Sequence, residues 1–133
     1  MGITKAEALK AVDRERGPVC EASDRIWDQP ETAFQEFHST DVLCELLEKE
    51  GFRVERNLAG IATAFSGTYG SGKPVVGILG EFDALSGLSQ ESESLEKTAL
   101  VDGAPGHGCG HNLLGTGSVA AAIAVKEYLE KNG

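Results

Sequence analysis

The apolar positions of the chain keep a helical period over its first third. Ala8, Leu9 and Val12 form a short stripe within residues 4–16. Thr4 and Glu7 stand ahead of it with the three-residue spacing of a capping box, and Gly17-Pro18 interrupts it. A second helical stretch, 19–27, turns Val19, Ile26 and Trp27 inward, and Pro30 marks the turn after it. The clearest helix is 40–51, where Val42, Leu43, Leu46 and Leu47 share one face. Ser39 or Thr40 is its expected cap and Gly51 its C-terminal stop.

From Phe52 the period becomes two. Residues 52–55 alternate as a half-buried strand, and 61–65 and 74–79 are predicted as two further strands joined across 68–73. Val75-Val76-Gly77-Ile78-Leu79 is apolar throughout, which suits a strand covered on both faces. Residues 86–105 are polar, acidic and without period, and read as a long loop. A last helix, rich in alanine, is predicted over 118–131. Helices before and after a run of strands make an α/β chain, layered as a sandwich.

Composition narrows the function classes. The chain has 133 residues, enough for one domain with a modest core. Its formal net charge of −9 disfavours nucleic acid and anionic membrane surfaces. Mean hydropathy is −0.17, no apolar run is long enough to span a bilayer, and residues 1–10 lack the apolar core of a secretory signal. The three cysteines, Cys20, Cys44 and Cys109, are odd in number and unpatterned. That usage fits a reducing compartment, and the expected location is the cytoplasm.

Three stretches carry possible chemistry. Residues 67–73 copy the glycine and lysine spacing of a phosphate-binding loop, but Pro74 replaces the hydroxyl residue and a strand follows where a helix is needed. It reads as a hairpin turn. Gly115-Thr116-Gly117 echoes a dinucleotide-binding pattern without the strand that should lead into it. The remaining stretch is Gly106-His107-Gly108-Cys109-Gly110-His111-Asn112. In an extended backbone Cys109 and His111 project to the same side, and a thiolate with an imidazole suits zinc. A glycine-rich turn holding a thiol and a surface histidine is the competing reading, and two ligands alone do not decide between them. Glu81 and Asp83 follow the apolar run 75–79, at a strand end where α/β enzymes place their chemistry. Carboxylates there can bind metal or orient a metal-bound imidazole.

With those residues placed, the chain resembles a family of metal-dependent amidohydrolases that includes aminoacylases, carboxypeptidase G and the indole-acetyl-amino-acid hydrolases. Within it the aminobenzoyl-glutamate utilisation branch is the most similar. The resemblance is carried by PETAFQEFHST at 30–40, GFRVE at 51–55, TAFSGTYGSGKPVVGILGEFDALSGLSQ at 63–90 and GHGCGHNLLGTGSVAAA at 106–122. It implies a three-layer αβα sandwich with a mixed sheet, of which 1–133 would be the N-terminal part of the catalytic domain, without the lid or dimerisation domain. It implies hydrolysis of an amide in an N-acyl amino acid or aminobenzoyl-glutamate-like conjugate, with two divalent ions, zinc or manganese. Cys109 and His111 match metal ligands. Asp83 matches the aspartate that orients the site. Glu81 stands where other branches carry a metal-binding histidine, and it and His107 are candidates for a supporting role. The family's paired catalytic glutamates have no counterpart here, so the chain is expected to be inactive alone. The alternative is an assembly module that pairs with a complementary subunit. A further expectation is self-association, through an uncovered strand edge at 74–79 and the helix face at 120–125.

Overall fold

In the computed structural model, which describes residues 4–132, Thr4 opens helix α1 (Lys5–Arg14) through the expected reciprocal box. Its hydroxyl accepts from Glu7 N at 3.4 Å, and its own N–H donates to the Glu7 carboxylate at 2.7 Å. Helix α2 (Arg16–Asp28) begins earlier than predicted. The break falls at Glu15, and Pro18 lies in the first turn of α2, where its missing N–H costs no hydrogen bond. Helix α3 (Phe37–Lys49) also starts early, because its cap is neither Ser39 nor Thr40. The Glu31 carboxylate reaches across to accept from His38 N (2.9 Å), Ser39 N (2.8 Å) and Ser39 Oγ (2.8 Å). Ser39 and Thr40 are buried inside the helix, and Thr40 Oγ1 donates to the Thr63 carbonyl at 2.9 Å. Gly51 follows the last turn at φ +81°, as its place in the sequence predicts.

Strands β1 (Arg53–Arg56) and β2 (Phe65–Thr68) pair antiparallel, with Arg53 opposite Thr68 and Arg56 opposite Phe65. Their connection holds a short 3₁₀ turn, and Asn57 and Ala59 adopt left-handed backbone there. The predicted strand at 61–65 is therefore mostly turn, and the hairpin lies between 53 and 68 instead of between 61 and 79. Residues 74–79 form no strand. Their side chains are exposed, Val75 by 83% and Leu79 by 86%. A strand apolar on both faces needs flanking strands and covering layers, and the described residues offer it neither. Among them the sheet has two strands, so the chain is α/β with helices and one small sheet.

The core forms where α2, α3 and α4 (His111–Asn132) meet. Ala22 and Ile26 from α2, Val42, Leu43, Leu46 and Leu47 from α3, and Val119 and Ile123 from α4 pack there with Phe52. Burying side chains such as Ile26, Leu43 and Ile123 is worth about 1.5–3 kcal/mol each. Helix α4 begins seven residues before the predicted 118, so the glycines at 115 and 117 are helical. Gly115 has a packing reason. A Cβ there would sit 3.0 Å from Phe82 Cβ and 3.1 Å from the Glu81 carbonyl oxygen, so its absence lets the 80–83 segment lie against the helix. Arg14 pairs with Glu127, joining α1 to α4. No helix of the described residues is long and apolar enough to cross a membrane.

Candidate metal centre

The segment after Leu79 is fixed by neighbours on several sides. Ser118 Oγ donates to the Leu79 carbonyl at 2.9 Å, and Gly115 seats Glu81 and Phe82 on α4. Ala84 N donates to the Glu31 carbonyl at 2.7 Å, with Thr32 paired parallel to Ala84. Leu85 and Gly106 then exchange both backbone bonds at 3.0 Å. Held this way, Glu81 and Asp83 meet His111, the first residue of α4.

His111 Nδ1 lies 2.9 Å from Asp83 Oδ1 and 3.1 Å from the Asp83 carbonyl oxygen. Both are acceptors only, so Nδ1 carries the ring proton in the neutral imidazole and Nε2 carries the lone pair. That lone pair looks toward Glu81 Oε2 at 3.6 Å. Two electron-rich atoms so placed repel each other unless a proton or a metal ion lies between them. One donor atom from each of Glu81, Asp83 and His111 lies within 4.8 Å of the others. With Asp83 holding the Nδ1 side of the ring, His111 Nε2 and the Glu81 carboxylate are the donors left facing one another, a nitrogen–oxygen pair suited to zinc or manganese, so the residues present fit a divalent ion. The start of α4 contributes the positive end of a helix dipole beside the carboxylates.

No family model matches the chain. Over 92% of its length it is 50% identical to one subunit of p-aminobenzoyl-glutamate hydrolase from Escherichia coli (strain K12). It is also 28% identical, over 96% of its length, to the Xaa-Arg dipeptidase of Homo sapiens, and 27% identical to that of Mus musculus. The chain belongs to the family of these hydrolases. It spans 26% of the length of the bacterial relative and 28% of the human one.

The Cys/His loop at 106–112 is a turn and not the extended stretch assumed from the sequence. Gly110 N donates to the His107 carbonyl at 2.9 Å, Gly110 takes φ +83°, and α4 starts at the next residue. The same-side rule for residues two apart thus fails between Cys109 and His111. Cys109 is exposed and stands outside the Glu81–Asp83–His111 group. His107 is buried and turned away from solvent, its ring stacked 6.3 Å from that of Trp27. Its Nε2 lies 3.2 Å from the Ile26 carbonyl, so Nε2 donates, and Nδ1 is buried without a partner. Burial pushes its pKa down and keeps the ring neutral, against the opposing bond to Ile26. Asn112 Nδ2 donates to Ser23 Oγ at 3.0 Å in the interior. His107 and Asn112 thereby tie both sides of His111 to α2.

Sequence reasoning missed Glu31, which caps α3 with its side chain and braces Ala84 with its carbonyl. Its place inside the 30–40 motif was the available signal. A cavity of about 90 Å³ opens beside Trp27, Pro30, Gln90, Leu100 and His107. Glu81, Asp83 and His111 do not line it, and the Glu81 side chain is 60% exposed.

Proposed function

We propose that the chain is part of the catalytic domain of a metal-dependent amide hydrolase acting on aminobenzoyl-glutamate or related N-acyl amino acids. The observation that carries this reading is the His111 ring, held at Nδ1 by Asp83 with Nε2 facing Glu81. His111 and Cys109 would hold zinc or manganese, with Glu81 as a further donor. A bound divalent ion supplies Lewis acidity to an amide carbonyl. Asp83 keeps the proton on Nδ1 and so keeps Nε2 available. His107 and Asn112 hold the loop and the helix start in register.

The fuller reading has 1–133 as the N-terminal part of an αβα sandwich whose mixed sheet takes in residues 74–79. It also has a cytoplasmic protein, in keeping with the cysteine usage and the acidic charge. Asp83 is committed to the His111 Nδ1–H and Glu81 to the ion, so no carboxylate of the cluster is left to act as general base, and the chain alone is expected to bind metal without turnover. Zinc titration of the chain and of a His111→Ala variant tests the binding. Hydrolysis of p-aminobenzoyl-glutamate by the chain alone would overturn the inactivity. A second reading is an assembly module completed by a complementary subunit. It is favoured by the bacterial relative, whose name makes it one subunit of its hydrolase, and by the uncovered apolar run at 74–79. Recovery of hydrolysis on co-expression with a chain supplying a carboxylate general base would support it.

A further inference from the structure

Glu31 does more than a helix cap requires. Its carboxylate accepts from His38 N, Ser39 N and Ser39 Oγ at 2.8–2.9 Å, three bonds to a charged acceptor at the start of α3. A serine or threonine beside the first turn is enough to cap a helix, and the sequence offers Ser39 and Thr40 for it. What a local cap could not do is fix Glu31 itself. The carbonyl of the same residue accepts from Ala84 N at 2.7 Å, and Thr32 pairs parallel to Ala84. The backbone between Glu31 and α3 is held under strain. A tight turn closes from Gln35 N to the Thr32 carbonyl at 2.9 Å, and Phe34 within it takes φ +66°. An aromatic residue keeps that left-handed conformation only where its surroundings impose it.

We propose that Glu31 is a positioning residue for Asp83, acting through its own backbone carbonyl. Ala84 follows Asp83 directly, so the bond from Ala84 N to Glu31 sets where the Asp83 carboxylate stands. That placement in turn decides the tautomer of His111. Asp83 Oδ1 lies 2.9 Å from Nδ1, whereas Glu81 Oε2 lies 3.6 Å from Nε2. Both carboxylates are acceptors, and the nearer one holds the proton of the neutral ring on its own side. With the Glu31 side chain removed, the 31–32 segment loses its tie to α3 and Asp83 is free to draw back. The neutral ring then carries its proton on Nε2, facing Glu81. The consequence for metal rests on the hydrolase reading, because Nε2 is the nitrogen that reading assigns to the ion. The consequence for the ring does not.

Nitrogen NMR of the isotope-labelled, metal-free chain tests this at about pH 8.5, above the ordinary histidine range. His111→Ala identifies the signals of that ring. The native chain should show His111 protonated on Nδ1, and Glu31→Ala should move the majority of the ring to the Nε2–H form. Glu31→Gln keeps the length and one acceptor oxygen and should fall between the two. Thr4→Ala, which removes the cap of α1 far from Asp83, should lower stability and leave the tautomer unchanged. Zinc affinity should fall about tenfold or more in Glu31→Ala, as for loss of other outer partners. A folded Glu31→Ala chain that keeps the proton on Nδ1 would overturn the proposal, as would an equal shift in Thr4→Ala. If Glu31→Ala does not fold, an unchanged ring in Glu31→Gln overturns it. A tautomer that responds as expected in a chain without zinc affinity would count against the hydrolase reading alone.

Discussion

His111 and Asp83 are joined by a 2.9 Å hydrogen bond that decides which ring nitrogen is free. Removing the carboxylate in Asp83→Ala should leave the ring able to rotate and change tautomer. Loss of such an outer partner lowers metal affinity by about 10–100-fold. Competition titration with a chelating dye measures it. An unchanged zinc affinity would show that Asp83 does not prepare this nitrogen.

The three thiols should separate by accessibility. Cys20 and Cys109 are exposed and Cys44 is fully buried in α3. A thiol reagent at neutral pH should label the first two promptly and Cys44 only on unfolding. If Cys109 serves as a ligand, zinc should protect it while leaving Cys20 labelled. Protection of neither thiol, with zinc still bound, would confine the metal to Glu81 and His111.

Burial pushes the Cys44 thiol up to about 11 from an ordinary 9.0. Between those values the unfolded chain has released a proton that the folded chain retains. Stability from this group is therefore complete below about pH 9 and is lost as pH rises toward 11. Urea unfolding of the native chain and of Cys44→Ala across pH 8–11 should show a steeper decline in the native chain. Parallel curves would mean that the thiol reaches water in the folded state.

Two glycines should resist substitution for different reasons. A Cβ at Gly106 would lie 2.0 Å from the Leu88 carbonyl oxygen, a backbone atom that cannot swing aside. Gly106→Ala should cost about 2 kcal/mol or more, within the range for forced overpacking. At Gly115 alanine gains about 1 kcal/mol of helix propensity but presses on Phe82 and the Glu81 carbonyl. Gly115→Ala should be close to neutral in urea unfolding yet weaken zinc binding, because Glu81 is displaced. Full metal affinity in that variant would show that the 80–83 segment is not set by this contact.

The helices were legible because each carries its own evidence. Val42, Leu43, Leu46 and Leu47 repeat at helical spacing, and Thr4 with Glu7 forms a local box. Their boundaries moved where the cap came from a distance. Glu31 reaches α3 from outside the helix, and local reading chose Ser39. The apolar run at 74–79 was read from its composition as an inner strand, yet a strand of that kind is made by neighbours, and none is at hand among the described residues. At the site, Glu81, Asp83 and His111 were each singled out. That Asp83 and Glu81 take opposite sides of one ring was not, because it follows from α4 beginning at His111. The turn at Gly110, between Cys109 and His111, could not be told from an extended stretch by spacing alone.

The 22 residues of α4 also behave as a lever. Gly115, where the helix bears on Glu81 and Phe82, is the fulcrum. It stands about 6 Å along the axis from His111 and about 26 Å from Asn132. If the helix tilts as a rigid rod about that point, motion at the far end reaches the imidazole reduced roughly fourfold. The long arm is itself tied down, by Arg14 at Glu127 and by Tyr69 at Glu130. A spectroscopic label near Lys131 would therefore amplify small tilts of the helix while scarcely disturbing the three side chains at its short end.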